Sequence, residues 1–303
     1  MQAGLNLNTV FSKEKEESKE KKVVYKKKLR PDEVRAAWLG RIFLWIMIVI
    51  TLFPIVAVIS ASMAKGQSFT QTTFFPAEWT LENYKRVIEK TQFLLWVRNS
   101  LMISTIVAIV QLALSVPAAF AFSKLRFWGR KNGLMSLLIL QMFPATMALP
   151  AIMGIVFAYN LTNKPWVLIL ILAGGSAYNI WLLKGAVDGI PDELVEAAYI
   201  DGASTWKVFT SIIIPLLRNM LIVIFLFAFI GAYSEFMFTS AILKNANVQT
   251  ITTGLQKFIT NNFSANWTMY SSAAVMAALP IVIIFMLFQK YIATGLVSGS
   301  VKE

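Results

Sequence analysis

Two carboxylates, Glu196 and Asp201, flank a pair of alanines and precede a glycine in EAAYIDGASTWKVFTSIIIP, residues 196–215. The chemistry such a set can do is contact, not bond making. Small Ala197 and Ala198 permit close approach by a partner, and the two acids can engage basic groups on it. A third carboxylate, Glu235, stands inside the apolar run AFIGAYSEFMFTSA, residues 228–241. An ionisable group in an apolar run is costly unless paired or hydrated, so it marks a functional site by default. Two readings stay open: a residue of a translocation path or gate, or a helix-packing acid bonded to Tyr233, Ser234 or a neighbouring span. No second carboxylate stands in another apolar run, so no proton-relay chain is present.

Bond-making chemistry has little to work with. The 303 residues contain no cysteine and no histidine. That removes disulfides, thiol nucleophiles, Cys/His metal sites and imidazole acid–base catalysis. No GxxxxGK[ST] phosphate loop occurs, so the chain does not hydrolyse ATP by itself. The net charge of +12 belongs to topology and not to nucleic-acid binding. The soluble basic region, the N-terminal tail, carries many glutamates as well, and it has no basic face on a folded domain.

The elements that must position Glu196 and Glu235 are membrane spans. Hydrophobic residues make up 57% of the chain and the mean hydropathy is +0.62. A soluble domain is nearer 45–50% apolar. Six long apolar runs read as spans, at residues 42–63, 97–122, 133–157, 166–183, 219–243 and 269–292. Prolines 54, 117, 144, 150 and 280 lie within them, which neighbouring helices can accommodate. Ser115-Val116-Pro117-Ala118-Ala119 offers small residues for close helix approach. Residues 1–41 form a charged tail with no apolar face long enough to bury. No small-residue cleavage site follows, so a retained first span is expected over a signal peptide. TLENYKRVI, residues 80–88, reads as a short surface helix capped by Thr80.

Lys124, Arg126, Arg130 and Lys131 form a compact basic loop without an acid among them. With that loop, both tails and the 184–218 loop inside, most of the 28 Lys and Arg residues lie on one side. The positive-inside rule then puts both termini in the cytoplasm and six spans between them.

The loop at 184–218 has helix signals of its own. Pro191-Asp192-Glu193 is a helix start, with proline in the first turn and acids at the positive end. Leu194, Ala197, Ala198 and Ile200 give that helix an apolar side. Gly202 ends it in a left-handed cap. Ser204 caps a second helix whose Trp206, Phe209 and Ile213 share a face, and Pro215 marks a boundary or kink before the fifth span. The result is a knuckle of two short helices projecting from the membrane. It is either a docking element or a locally folded connector, and its apolar side favours docking.

The stretch resembles the EAA signature of binding-protein-dependent ABC transporter permeases. The matching positions are Glu196-Ala197-Ala198, Gly202, Ile212, Ile214 and Pro215, with Ile214 in place of the usual leucine. The resemblance covers about residues 40–303 and is strongest to the MalG-type permeases of maltose/maltodextrin importers. Its further supports are ENYKRVI (82–88), NSLMIS (99–104), AFAFSKLRFWGR (119–130), IPDELVEAAYIDGA (190–203), AVMAALPI (274–281) and the tail GLVSGSVK (295–302).

The resemblance implies an all-α polytopic helical bundle of the type I ABC importer (MetI-like) fold, with the permease domain at 42–294 and a short cytoplasmic tail at 295–303. It implies a transport subunit and not an enzyme, in the cytoplasmic membrane of a prokaryote. It implies a MalF-type second permease, a MalK-type ATPase dimer that binds the ATP and magnesium, and an extracytoplasmic sugar-binding protein. No cofactor is expected in this chain. Glu196, Ala197, Ala198, Asp201, Gly202 and Pro215 are the expected ATPase-coupling residues, and the tail at 295–303 is a second contact candidate. The external loop at 244–268 is expected to probe the binding protein. Tyr178, Asn179, Tyr233, Ser240 and Gln141 can hydrogen-bond sugar hydroxyls or stack on a pyranose ring, and equally can pack helices. With Glu235, the residues Tyr233, Tyr178 and Asn179 are the expected translocation path. The alternatives are a permease for another oligosaccharide or glycerol-phosphate and, from a different class, an ion-coupled carrier. The latter would carry internal repeats and midplane ion ligands, and the two halves show no such repeat.

Overall fold

The computed structural model describes residues 30–66, 75–260 and 266–297. The charged tail up to residue 29, the last residues of the C-terminal tail and part of the expected external loop lie outside the described residues. The described residues form α-helices, with one isolated antiparallel bridge between Ala64 and Trp79.

The chain divides into two compact units, Met1–Pro54 and Ile55–Glu303, within helix α1 (Pro31–Ser62). In the first unit the apolar side chains from Trp38 to Phe53 are exposed. An apolar helix with no part of its most hydrophobic window buried presents itself to lipid or to a partner.

The second unit is built around α3 (Phe93–Lys124). Ser100, Ser104, Ala108, Gln111, Ser115 and Ala119 recur every three or four residues along it, and all are buried. This small-residue stripe lets neighbours approach the α3 backbone closely. Its main partners are α7 (Ala177–Asp188) and α10 (Ile214–Tyr233). Three apolar clusters form around α3. Phe120, Leu183, Val187 and Ile213 lie in one, Trp96, Phe229 and Tyr233 in the next, and Ile103, Leu168 and Ile242 in the third. Helix α13 (Trp267–Val297) packs on α10 and on α2 (Glu82–Lys90). α2 begins one residue later than expected, and Thr80 Oγ1 still accepts from the Glu82 amide.

Among the described residues, four helical stretches are long and apolar enough to cross a membrane: Pro31–Ser62, Phe93–Lys124, Thr205–Tyr233 and Trp267–Ile292. Two bent pairs raise the number to six if each counts as one span. α4 (Arg130–Gln141) and α5 (Ala145–Ala158) meet at 86°, and α6 (Pro165–Ala173) and α7 at 47°. The chain is thus an all-α, multi-pass membrane bundle. Pro144 and the Gly174-Gly175-Ser176 segment break their helices outright, where unbroken spans at 133–157 and 166–183 were expected. Pro54, Pro117, Pro150 and Pro280 sit inside helices that continue through them.

The expected fifth span, 219–243, is corrected at both ends. At its start, a π-helical turn (Phe209–Ile213) joins α9 (Thr205–Val208) to α10, so one helical stretch runs from Thr205 to Tyr233. Pro215 falls in the first turn of α10 and makes no boundary. The Ile214 amide bonds back to the Phe209 carbonyl, and the wider turn accommodates the missing proline donor. At its far end the helix stops at Tyr233, and a separate short helix, α11 (Met237–Ile242), follows.

Candidate functional site

The knuckle is a small, fully specified piece of structure. Helix α8 (Asp192–Ile200) starts after Pro191, which is its N-cap and not, as expected, part of its first turn. It ends in a Schellman motif: the Gly202 amide donates to the Tyr199 carbonyl and the Ala203 amide to the Ala198 carbonyl. Gly202 has φ +78°, the left-handed conformation glycine adopts at little cost. Ser204 then caps α9 by accepting from the Lys207 amide. Tyr199 donates its hydroxyl to Thr205 Oγ1 and ties the two helices together.

Glu196, Ala197, Asp201 and Gly202 are all exposed, and Ala198 is half-buried against the core beneath. The apolar side faces outward: Ile200 is 85% and Trp206 70% exposed, and Leu194 is exposed too. Val195 is the α8 residue that anchors the helix to the core. The expected shared face of the second helix is divided, because Phe209 and Ile213 are buried while Trp206 is not. Five of the six expected coupling residues therefore cluster on one knuckle, and Pro215 lies further along the helix that leaves it.

The base of the knuckle is latched to the basic loop between α3 and α4. Lys124, with a side chain only 7% exposed, donates to the Ile190 carbonyl at 2.7 Å and to the Asp192 carboxylate. The hydrogen bond from Lys124, then its charge, and last the Arg130 guanidinium hold the Asp192 carboxyl below its ordinary range. Ser123 donates to Asp188, which also accepts from Lys184. The basic loop, read only as a topology marker, is a structural brace.

A second site lies in the bundle. A cavity of about 250 Å³ is lined by Val107 and Gln111 of α3, Leu172 of α6, Gly175 in the break, Tyr178 and Asn179 of α7, and Phe227, Ala228, Gly231 and Ala232 of α10. Asn179 donates to Gln111 Oε1 at 2.8 Å, and Gln111 donates to the Leu172 carbonyl at 2.8 Å. Gln141, at the break between α4 and α5, accepts from the Tyr178 amide at 3.0 Å. The two amides thus satisfy backbone groups near the α6–α7 break, and broken helices at membrane depth are tolerated only where such partners or a cavity exist.

The structure brings Tyr178 and Asn179 together and separates them from Tyr233 and Glu235. Tyr233 is buried and donates its hydroxyl to the Ala277 carbonyl of α13 at 3.0 Å. Glu235 lies past the end of α10. Its carboxylate accepts from the Phe238 and Thr239 amides and the Thr239 hydroxyl, capping α11. Ser240 donates to the Met237 carbonyl of its own helix. The cavity residue missing from the expected path is Gln111. Its signal was available: a lone amide in the middle of an apolar run needs a partner. Asn99 is a further structural anchor, donating to the Asn247 and Gln249 carbonyls of the loop before α12 (Ile251–Gln256).

The family model described as "Binding-protein-dependent transport system inner membrane component" matches residues 105–297. The maltodextrin transport system permease protein MdxG of Bacillus subtilis is 34% identical over 262 residues, covering 86% of this chain and 94% of that protein. The galactooligosaccharides transport system permease protein GanQ of the same organism is 34% identical over 260 residues, covering 84% and 92%. The maltose/maltodextrin transport system permease protein MalG of Escherichia coli K12 is 32% identical over 284 residues, covering 88% and 95%. Among solved structures, a chain of a bacterial ABC transporter involved in the import of the acidic polysaccharide alginate aligns with a TM-score of 0.74. It is 22% identical and covers 87% of this chain and 99% of that one, a likeness of fold.

Proposed function

Because the chain belongs to the binding-protein-dependent transport system inner membrane component family, we propose that it is a permease subunit of a carbohydrate ABC importer, of maltose/maltodextrin type. It is a transport component and not an enzyme. ATP and magnesium are bound by a MalK-type ATPase dimer, a MalF-type second permease completes the path, and an extracytoplasmic binding protein delivers the sugar. The chain lies in the cytoplasmic membrane with both termini inside.

One observation carries the reading. The exposed knuckle at Glu196–Gly202 passes into a single helical stretch, Thr205–Tyr233, whose Phe227, Ala228, Gly231 and Ala232 form a wall of the membrane cavity. At 1.5 Å per residue that stretch carries a displacement over roughly 35 Å from the docking surface to the cavity. Glu196 and Asp201 engage basic groups of the ATPase while Ala197 and Gly202 allow close seating. Closure of the ATPase dimer moves the knuckle and tilts α10 against α3 and α7, so the cavity alternates between two states. Gln111, Asn179 and the Tyr178–Trp181 stacked pair supply hydrogen bonds and an aromatic face for a polyhydroxylated solute.

The test is reconstitution with the second permease, the ATPase subunits and the binding protein. Maltodextrin-loaded binding protein stimulates ATP hydrolysis and uptake. Uptake driven by an ion gradient without nucleotide would overturn the reading. A galactooligosaccharide importer is the second reading, favoured by the equal 34% identity to GanQ. Exchanging the sugar-loaded binding proteins separates the two.

A further inference from the structure

The segment between α3 and α4 has features the coupling mechanism does not use. It joins two apolar helices that both end there, so it lies at the surface of the bilayer. Arg130 fixes it in place by donating to the Phe122 and Ser123 carbonyls at the end of α3. Phe127 packs edge-on against Phe122. Trp128 is left 100% exposed. A bare indole is unfavourable in water and favoured at the headgroup level of a membrane.

Arg126 and Lys131 form no ion pair or hydrogen bond among the described residues. A wide cavity of about 990 Å³ opens beside Lys131, walled by Phe122, Trp128, Lys131, Ser136 and Lys184, the last paired with Asp188. Beyond it, α4 turns exposed Met135, Ile139 and Leu140 outward. The surface is therefore bipartite, cationic and aromatic at the loop and apolar along the helix.

We propose that this loop binds an anionic phospholipid, its phosphate between Arg126 and Lys131, its glycerol against Trp128 and its chains along α4. An acidic segment of a soluble partner would match the charge and leave the apolar continuation uncovered. The inference rests on the chain spanning a membrane, and on neither the sugar nor the orientation proposed above.

The experiment reads Trp128 directly. The transporter, assembled with its partner subunits, is placed in nanodiscs of phosphatidylcholine containing a minority of phosphatidylglycerol, with brominated chains on one lipid or the other. The Trp128 emission is the difference between wild type and Trp128→Phe. Brominated phosphatidylglycerol is expected to quench it more than brominated phosphatidylcholine at equal mole fraction. Each basic residue is worth roughly a 5-fold enrichment, so the excess should vanish in Arg126→Gln/Lys131→Gln. Equal quenching by the two lipids in the wild type, or an excess unchanged in the double variant, would overturn the proposal. So would a Trp128 that neither lipid quenches, which would place it under protein.

Discussion

Lys124, the last residue of α3, donates to the carboxylate of Asp192, the first residue of α8, and so ties the second span to the base of the knuckle. Lys124→Met removes this bond and the one to the Ile190 carbonyl. Amide exchange across residues 192–200 should then accelerate by about 5-fold, the scale of one net hydrogen bond. The pH dependence follows from the depressed Asp192 pKa. The contribution is complete above the ordinary value of 3.8 and is lost as pH falls through the lower folded value. Carbon NMR of labelled aspartates should place the Asp192 midpoint below 3.8 in wild type and return it toward 3.8 in Lys124→Met.

Gly202 has open space around the position of a Cβ, so a substitution there meets only the cost of its positive φ. Gly202→Val should cost roughly 1–2 kcal/mol locally and shift the Schellman cap. Gly202→Asn, which tolerates the left-handed region, should retain more function. The measurement is binding-protein-stimulated ATPase activity in the assembled transporter. Equal activity of the two variants would show that the cap geometry does not matter to coupling.

Gln111→Leu leaves the Leu172 carbonyl and the Asn179 amide without their partner. A loss of roughly 1–3 kcal/mol is expected from a buried unsatisfied group, read as a lower midpoint of thermal unfolding. Asn179→Leu perturbs the same pair without freeing the carbonyl. It should lower sugar uptake more than it lowers stability, and an uptake rate equal to wild type would remove Asn179 from the path.

Glu235 discriminates between its two readings by substitution. As a cap of α11, Glu235→Ala should cost about 1 kcal/mol, and Glu235→Gln, which keeps an acceptor oxygen, should support transport close to wild type. Abolished uptake in a stable Glu235→Gln protein would instead assign the charge to the path.

Gly254 sits against the face of Trp96, and a Cβ built there would fall inside the indole. Gly254→Ala should destabilise by about 3 kcal/mol through overpacking. Adding Trp96→Leu should recover part of the loss. Thermal unfolding of the two proteins in detergent checks this.

What was legible in the sequence was local. Pro191, Gly202 and Ser204 specify the start, the stop and the restart of the knuckle helices within a few residues each; the structure places Gly202 and Ser204 as read and Pro191 one position earlier, at the N-cap instead of in the first turn. The apolar runs locate the spans for the same reason. The helix breaks were less legible, because a proline or glycine pair inside an apolar run is compatible with both a kink and a break. At Gly174-Gly175-Ser176 the outcome depends on Gln111 and Gln141, which come from other helices and satisfy groups at the break. Glu235 misled in the same way. Phe236 and Met237 are as apolar as the residues before Tyr233, so hydropathy runs straight through the point where the helix ends. The Lys124–Asp192 latch joins the end of one helix to the start of another, and nothing in either segment alone announces it.

The π-helical turn at Phe209–Ile213 holds one residue more than an α-turn. Each α-helical residue advances the azimuth by about 100°, so an unbroken α-helix of the same sequence would carry everything beyond Ile213 round by about that angle. The turn therefore acts as a phase setter between the two ends of the stretch. Trp206 points to the docking side while Leu217, Val223 and Ile224 stay in the seam with α3. Tightening the turn into regular α-helix with every residue kept would leave each end well formed and turn the cavity wall away from its lining.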